Sequence, residues 1–460
     1  MVRIFQHYVS AKLALLVVLE TFVLVVVAYA GIAFQFPGVT SEPSIALASA
    51  VPAFPLTMLL FVTGLGLYQQ EVWDQFRAVQ SRLITAGLLA GGLAYLAALL
   101  MSSAAPEADR LILIVAGALA GSALVRFGLS RIDGAPALRP RVLVLGTGSR
   151  VARFAELAQR NCSHVVVGFV ATRPGAHYVP ESMVMELAPG ESLLDLVQRH
   201  RVEQVVTAVR DRRDGGTVIQ ELLKCKLRGI KIVELSSFFE SEYRQVLLES
   251  LNPAWIVFGD GFKQGAVREL LKRLFDLVVS AVLLILALPV IVVAALAILL
   301  ESGGPVLYRQ ERVGQNGRRF TIYKLRTMVA DAERGTPRWA AANDNRTTLV
   351  GRFLRKFRID ELPQIFNVVK GDMSFVGPRP ERPFFVDQLA QQIPYYALRH
   401  NVKPGITGWA QVRYPYGANL DDAVGKLQYD LYYVKNGSLF LDLLILLATV
   451  EVVLWGKGAR

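Results

Sequence analysis

Read from its residues alone, this chain is expected to be a membrane protein of mixed architecture. The expected parts are an N-terminal four-helix transmembrane unit (1–135), a Rossmann-like α/β domain (136–262) and a C-terminal α/β domain (263–460) with a re-entrant membrane helix over 268–300. Three observations lead there. Apolar residues make up 53% of the 460 positions and mean hydropathy is +0.38, too apolar for an ordinary soluble enzyme. The apolar residues gather into runs of bilayer length. Between the runs lie strand-like segments separated by helical periodicity.

The first four runs cover 12–34, 45–67, 82–101 and 109–128, the second interrupted by Pro52 and Pro55. The first is longer than the ~7–15 apolar residues of a signal-peptide core and lacks a small-residue cleavage site. The loop 35–43 has no Lys or Arg, whereas Arg3, Lys12, Arg77, Arg82, Arg126 and Arg131 lie on the other side of the unit. The positive-inside rule then places both ends of the unit in the cytoplasm, with Arg110 the one residue against this. A formal charge of +12 on such a chain points to loops facing anionic headgroups. No nucleic-acid motif accompanies that charge, so nucleic acid is not an expected partner. Cys162 and Cys225 are the only cysteines, which excludes a disulfide framework and a cysteine zinc cluster and fits a reducing compartment.

In the second domain Arg141–Leu145, Val165–Val170, Val202–Val209 and Gly229–Leu235 read as buried strands. VLVLGTG before a helix resembles a dinucleotide-binding turn, in which Gly146 and Gly148 let backbone amides approach a phosphate. The third glycine position is Val151, and Ala171, Thr172 and Arg173 stand where an acid should close the second strand. The domain is therefore read as Rossmann-like without NAD.

The run 274–300 carries Pro289 in its middle, with Lys272 and Arg273 before it and Arg309, Arg312, Arg318 and Arg319 after it. Basic flanks on both sides favour one membrane face for both ends. Proline removes a backbone donor and crowds the preceding turn, so a break is expected there. A helix that enters one leaflet and returns satisfies both facts. The last run, 438–455, contains Asp442 and Glu451 and is expected to lie against the membrane or another helix.

The chemistry-bearing residues follow the proline-interrupted run. In FTIYKLRTM the alternation puts Lys324 and Arg326 on one strand face, two cations aimed the same way that suit a diphosphate. Arg318 and Arg319 suit either phosphate or anionic lipid. RIDELPQIFNVVKGDMSFVGPRP (358–380) holds the adjacent carboxylates Asp360 and Glu361. Side chains ~100° apart at a helix start do not flank one bond as an acid/base pair. They suit separate tasks, one attacking and one holding a metal. An acidic first turn of a helix, with Pro363 tolerated there, is the plainer reading of the pair. Arg379, between Pro378 and Pro380, is a preorganised cation of the kind phosphate charge requires. NVKPGITGWAQV (401–412) is expected to form a loop over a sugar or base, and His400 to be structural.

Together KRLFDL (272–277), the proline-interrupted run, GPVLYRQERVG, FTIYKLRTM, the 358–380 segment and KPGITGWAQV resemble the bacterial polyprenyl-phosphate sugar-1-phosphate transferases. These are the monotopic phosphoglycosyl transferases that begin exopolysaccharide and O-antigen assembly. The N-terminal arrangement is similar to that of the family's large members. The resemblance implies that Asp360 attacks the sugar-bearing phosphorus of a UDP-sugar, a hexose donor such as UDP-glucose or UDP-galactose, and releases UMP. Undecaprenyl phosphate then takes the phosphosugar from the enzyme. It implies Glu361 as a ligand of Mg²⁺, and Lys324, Arg326, Arg358 and Arg379 as phosphate-binding residues. It also implies the inner (cytoplasmic) membrane, with the C-terminal domain on the cytoplasmic face. A four-helix unit could support a homodimer. The competing readings are a membrane-tethered nucleotide-sugar dehydratase or epimerase, which needs an intact glycine turn and a Tyr-x-x-x-Lys pair in its catalytic half, and a non-catalytic export scaffold.

Overall fold

The computed structural model describes residues 2–4, 7–33, 53–68, 76–101, 108–133, 139–160, 164–172, 177–188, 190–208, 215–251, 265–329, 346–414 and 419–454. They divide into two compact units, one of Gly128–Gly259 and one of Val2–Phe127 together with Asp260–Arg460. The expected boundaries at 135/136 and 262/263 lie outside the described residues.

A small antiparallel hairpin, β1 (Val2–Ile4) with β2 (His7–Val9), opens the chain. The apolar run that follows holds no proline and forms a 23-residue helix, Ala11–Ala33. Helices Phe76–Met101 and Ala108–Asp133 have 26 residues each. They pack through small side chains, with Leu24, Ala28, Ala86, Ala90 and Ala118 in one buried cluster. Of the expected span 45–67, residues 45–52 lie outside the described residues. The remainder forms the short helix Phe54–Gly64, which begins with Pro55 at a position where its missing N–H is harmless. Inside this bundle Glu20 is 1% exposed. Its carboxylate accepts from Arg126 Nε at 2.6 Å and Nη2 at 3.0 Å, and from the Tyr68 hydroxyl at 2.7 Å. An ion pair in apolar surroundings needs this degree of satisfaction. Among the described residues, four helical stretches are long and apolar enough to cross a membrane: Ala11–Gly31, Ala78–Leu100, Asp109–Arg131 and Ala266–Ser302. The molecule is a membrane protein.

The Gly128–Gly259 unit holds a five-stranded parallel sheet of β3 (Arg141–Leu145), β4 (Val165–Val170), β5 (Val184–Met185), β6 (Gln204–Thr207) and β7 (Lys231–Glu234). Their order is β5-β4-β3-β6-β7. Helices cover both faces of such a sheet, so its strands are apolar throughout rather than alternating. Val142 and Val144 enter one core with Phe154, Phe169 and Phe238, while Leu143 and Leu145 enter another with Leu196, Val205 and Cys225. Gly146 turns the chain out of β3 at φ +127°, before helix Ser149–Arg160. Val151 is buried in the first core. The third glycine position of the fingerprint is thus given to packing.

The C-terminal part opens with the 37-residue helix Ala266–Ser302. It runs on through Pro289, which corrects the expected break: the proline costs one donor, and the rest of the ladder carries the helix across it. Strands β8 (Leu307–Val313) and β9 (Arg319–Leu325) form an antiparallel hairpin whose register sets Tyr308 opposite Lys324. Helix Leu349–Lys356, a 3₁₀ segment Ile359–Gln364 and helix Ile365–Lys370 follow. Strand β10 (Ser374–Val376) then pairs in parallel with β11 (Gly405–Thr407). The two segments approach so closely that a Cβ on Gly377 would meet Lys403 O at 2.2 Å and one on Gly405 would meet Gly377 N at 2.1 Å. Helices Leu420–Asn436 and Leu439–Leu454 end the described chain. The latter packs against Phe54–Gly64.

Candidate active site

The carboxylate pair sits at the start of the 3₁₀ segment Ile359–Gln364, entered through Arg358 in the left-handed region at φ +55°. Successive residues there diverge by ~120°, so Asp360 and Glu361 face different surroundings. Glu361 is 7% exposed. Its Oε1 accepts from Lys324 Nζ at 2.7 Å and from Arg379 Nη2 at 3.1 Å. Arg358 Nη1 lies 3.8 Å from Oε2. Burial would raise the Glu361 carboxyl, but the charges of Lys324, Arg379 and Arg358 outweigh it and hold the group well below the usual carboxylate range.

Asp360 differs. Among the described residues it has neither a hydrogen-bond nor an ion-pair partner. Burial, then the Glu361 charge, pushes its carboxyl up to about 6, against the opposing pull of Lys324, Arg355 and Arg379. One carboxylate is thus fixed by cations through its Oε1, and its neighbour is unengaged beside the same cations. That arrangement can bind phosphate charge and present a carboxylate to phosphorus.

The strand β9 supplies Lys324, and helix Ile365–Lys370 holds that strand in place. Asn367, fully buried, donates to Thr321 O at 2.7 Å and accepts from Tyr323 N at 3.2 Å. Arg326 commits one nitrogen to the end of the long helix, while its Nε and Nη1 are buried without a hydrogen-bond partner among the described residues. Residue 326 lies past the end of β9, and its Nη2 donates to Ser302 O at 3.0 Å, Ser302 Oγ at 2.7 Å and Gly303 O at 2.5 Å. It satisfies carbonyls at the end of the long helix, which an α-helix leaves without internal donors. Arg318 and Arg319 are exposed at the hairpin turn, with Arg319 Nη1 3.5 Å from Glu311. KPGITG does not form a free loop: its residues build β11 beside the segment that leads to Arg379. His400 is half-buried and pushed down to about 4 by burial and the Arg399 charge.

Sequence reading missed Arg355, Asn367 and the buried pair Arg399–Asp430. Arg355 donates to Thr327 Oγ1 at 2.9 Å and adds its charge to the field on Asp360. Its one signal was a position in the last helical turn before the pair.

Among the described residues no group of three or more His, Cys, Asp or Glu side chains is placed to hold a metal. The described residues therefore form no closed protein cage. A lone carboxylate pair suits Mg²⁺, which takes one or two carboxylates and completes its shell with phosphate oxygens and water. Glu361 is ionised, and its Oε2 stands farther from a cation than its Oε1 does, so the donor set fits.

A family model described as bacterial sugar transferase matches residues 267–456. A UDP-N-acetylgalactosamine-undecaprenyl-phosphate N-acetylgalactosaminephosphotransferase of Aeromonas hydrophila is 41% identical over 260 residues, 56% of this chain and 61% of that protein. A UDP-glucose:undecaprenyl-phosphate glucose-1-phosphate transferase of Escherichia coli K12 is 40% identical over 205 residues, 44% of each chain. One of the same description from Caulobacter vibrioides is 45% identical over 201 residues, 42% of this chain and 72% of that protein. The chain thus spans less than two thirds of the first two of these relatives.

Proposed function

The chain belongs to the bacterial sugar transferase family, and from that premise we propose that it transfers a sugar-1-phosphate from a UDP-hexose to undecaprenyl phosphate. The observation that carries this reading is the unengaged Asp360 beside a Glu361 already held by Lys324 and Arg379. An Asp360 oxygen attacks the sugar-bearing phosphorus, the bond from that phosphorus to the UMP oxygen breaks, and UMP leaves. The phosphate oxygen of undecaprenyl phosphate then attacks the same phosphorus, and the bond to Asp360 breaks to restore the carboxylate. Lys324, Arg358 and Arg379 neutralise charge on the transferred group in both steps. Glu361 would hold Mg²⁺, which when bound neutralises diphosphate charge. Neither an intact glycine fingerprint nor a Tyr-x-x-x-Lys pair in the C-terminal, catalytic half supports the dehydratase alternative.

The lipid acceptor requires a site at headgroup level, and we read Ala266–Ser302 as re-entrant from the cytoplasmic face of the inner membrane, a continuous helix that bends at Pro289, where the missing donor permits a kink. Support comes from both of its ends. Near the start, Lys272 Nζ donates to Asp442 Oδ2 at 2.7 Å and Arg273 Nη1 to Val368 O at 2.6 Å. At the other end Glu301 Oε1 accepts from Leu349 N at 2.7 Å, and Arg326 binds Ser302 and Gly303. All these partners belong to the same C-terminal part.

The test is UMP release by purified protein with Mg²⁺, undecaprenyl phosphate and a panel of UDP-sugars. Asp360→Asn is expected to lower the rate at least ~10³-fold. A wild-type rate in that variant would sink the nucleophile assignment, and the panel identifies the sugar.

A further inference from the structure

The two prolines around Arg379 restrict the chain, but they also remove the N–H groups with which neighbouring peptides hold one another. The carbonyls of this segment are instead held from outside. Pro378 O accepts from Gly405 N at 2.9 Å and Glu381 O from Val313 N at 3.0 Å. Pro380 O accepts from Arg312 Nη1 at 3.1 Å. Arg379 O itself accepts from Arg399 Nη2 at 3.0 Å.

Arg399 is 5% exposed and Asp430, on helix Leu420–Asn436, is 2% exposed. Arg399 Nε and Nη2 both donate to Asp430 Oδ2, at 3.0 and 2.7 Å. Its Nη1 donates to the Tyr396 hydroxyl at 3.3 Å, and its guanidinium lies 5.3 Å from the centre of that ring. Burying two charges carries a desolvation penalty that well-packed apolar residues would avoid. What apolar residues could not do is bridge a helix to one backbone carbonyl of the site. A planar guanidinium serves several fixed acceptors at once, and an ammonium is a point charge on a flexible stem.

Resting on the assignment of Arg379 to the transferred phosphate, we propose that Arg399 and Asp430 are positioning residues for the transfer. They fix the main chain of Arg379 so that its guanidinium stays directed at Glu361, 3.1 Å away. Neither residue touches substrate. Their effect runs through the angle and distance of the Arg379 side chain, to which charge stabilisation in a transition state is sensitive.

The experiment is a double-mutant cycle on UMP release by the full chain in detergent, with thermal midpoints recorded beside the kinetics. Arg399→Lys keeps a charge for Asp430 and gives up the second acceptor. It is expected to lower kcat about tenfold, with the donor KM changed by less than about threefold and the midpoint near wild type. In an Arg379→Lys background the same change should cost less than about twofold further, because the group it positions is already altered. Asp430→Asn should show the same non-additivity. Losses that multiply in the double variants, together with a fallen midpoint, would mean a core role and overturn the proposal. So would an Arg399→Lys enzyme of wild-type kcat beside a crippled Arg379→Lys enzyme. If Arg379→Lys itself leaves kcat unchanged, the functional reading of Arg379 fails first, and the proposal falls with it.

Discussion

Side chains of one type do unlike work here, and their neighbours decide which. Lys324 ends against a buried carboxylate, while Arg326, two residues on, closes the end of the long helix. Arg326→Lys would lose most of a charge-assisted cluster on Ser302 and Gly303. We expect a stability loss of about 2 kcal/mol, read as a lower thermal midpoint, with the UDP-sugar KM within about twofold of wild type. A KM rise without a midpoint change would return Arg326 to the substrate. Strand alternation pointed to a shared face for these two cations, and Arg326 N still donates to Val306 O at 2.8 Å, but Arg326 Nη2 turns to the helix end. Asp360, Glu361 and Arg379 were legible because carboxylates side by side and a cation between prolines are locally conspicuous. Asn367 and Arg399 were not. A buried amide or guanidinium gains its meaning from groups 20 to 46 residues away in sequence.

Among the elements, the helix Ala266–Ser302 carries the sharpest question. Its length and hydropathy permit a span, whereas its two ends bind the same C-terminal part. Single cysteines at 268 and 305, in a chain whose Cys162 and Cys225 are replaced, should react with a membrane-impermeant reagent from the same face. Labelling from opposite faces would restore the spanning helix. The break at Pro289 was over-read from the sequence: one missing donor does not by itself end a long apolar helix. KPGITG was misread for a related reason. Turn residues that suggested a loop are there for close approach, since Gly377 and Gly405 leave no room for a side chain between β10 and β11. Composition shows that glycine is needed but not which backbone comes near.

In the molecule taken whole, the Gly128–Gly259 unit brings a pH dependence of its own. His164 is 6% exposed, stacked on Phe154 and edge-on to Phe238. Burial pushes its pKa down to about 4 from an ordinary 6.5. Between those values the unfolded chain binds a proton that the folded unit does not, so stability rises with pH. The contribution is complete above about pH 6.5 and is lost toward pH 4, by at most about 1.4 kcal/mol per pH unit. Thermal midpoints measured from pH 4 to 7 should fall on the acid side, and His164→Phe should flatten that slope; an unchanged slope would remove His164 as its cause. Hydrophobic runs, charge bias and the local motifs were enough to reveal the membrane helices, the parallel α/β sheet and the family, because each is written in adjacent or periodic residues. The partner of each cation, the course of the helix through Pro289 and the clamp on Arg379 were not written that way. They depend on contacts between segments far apart in the chain, and burial and hydrogen bonding assign those only once the chain has closed on itself.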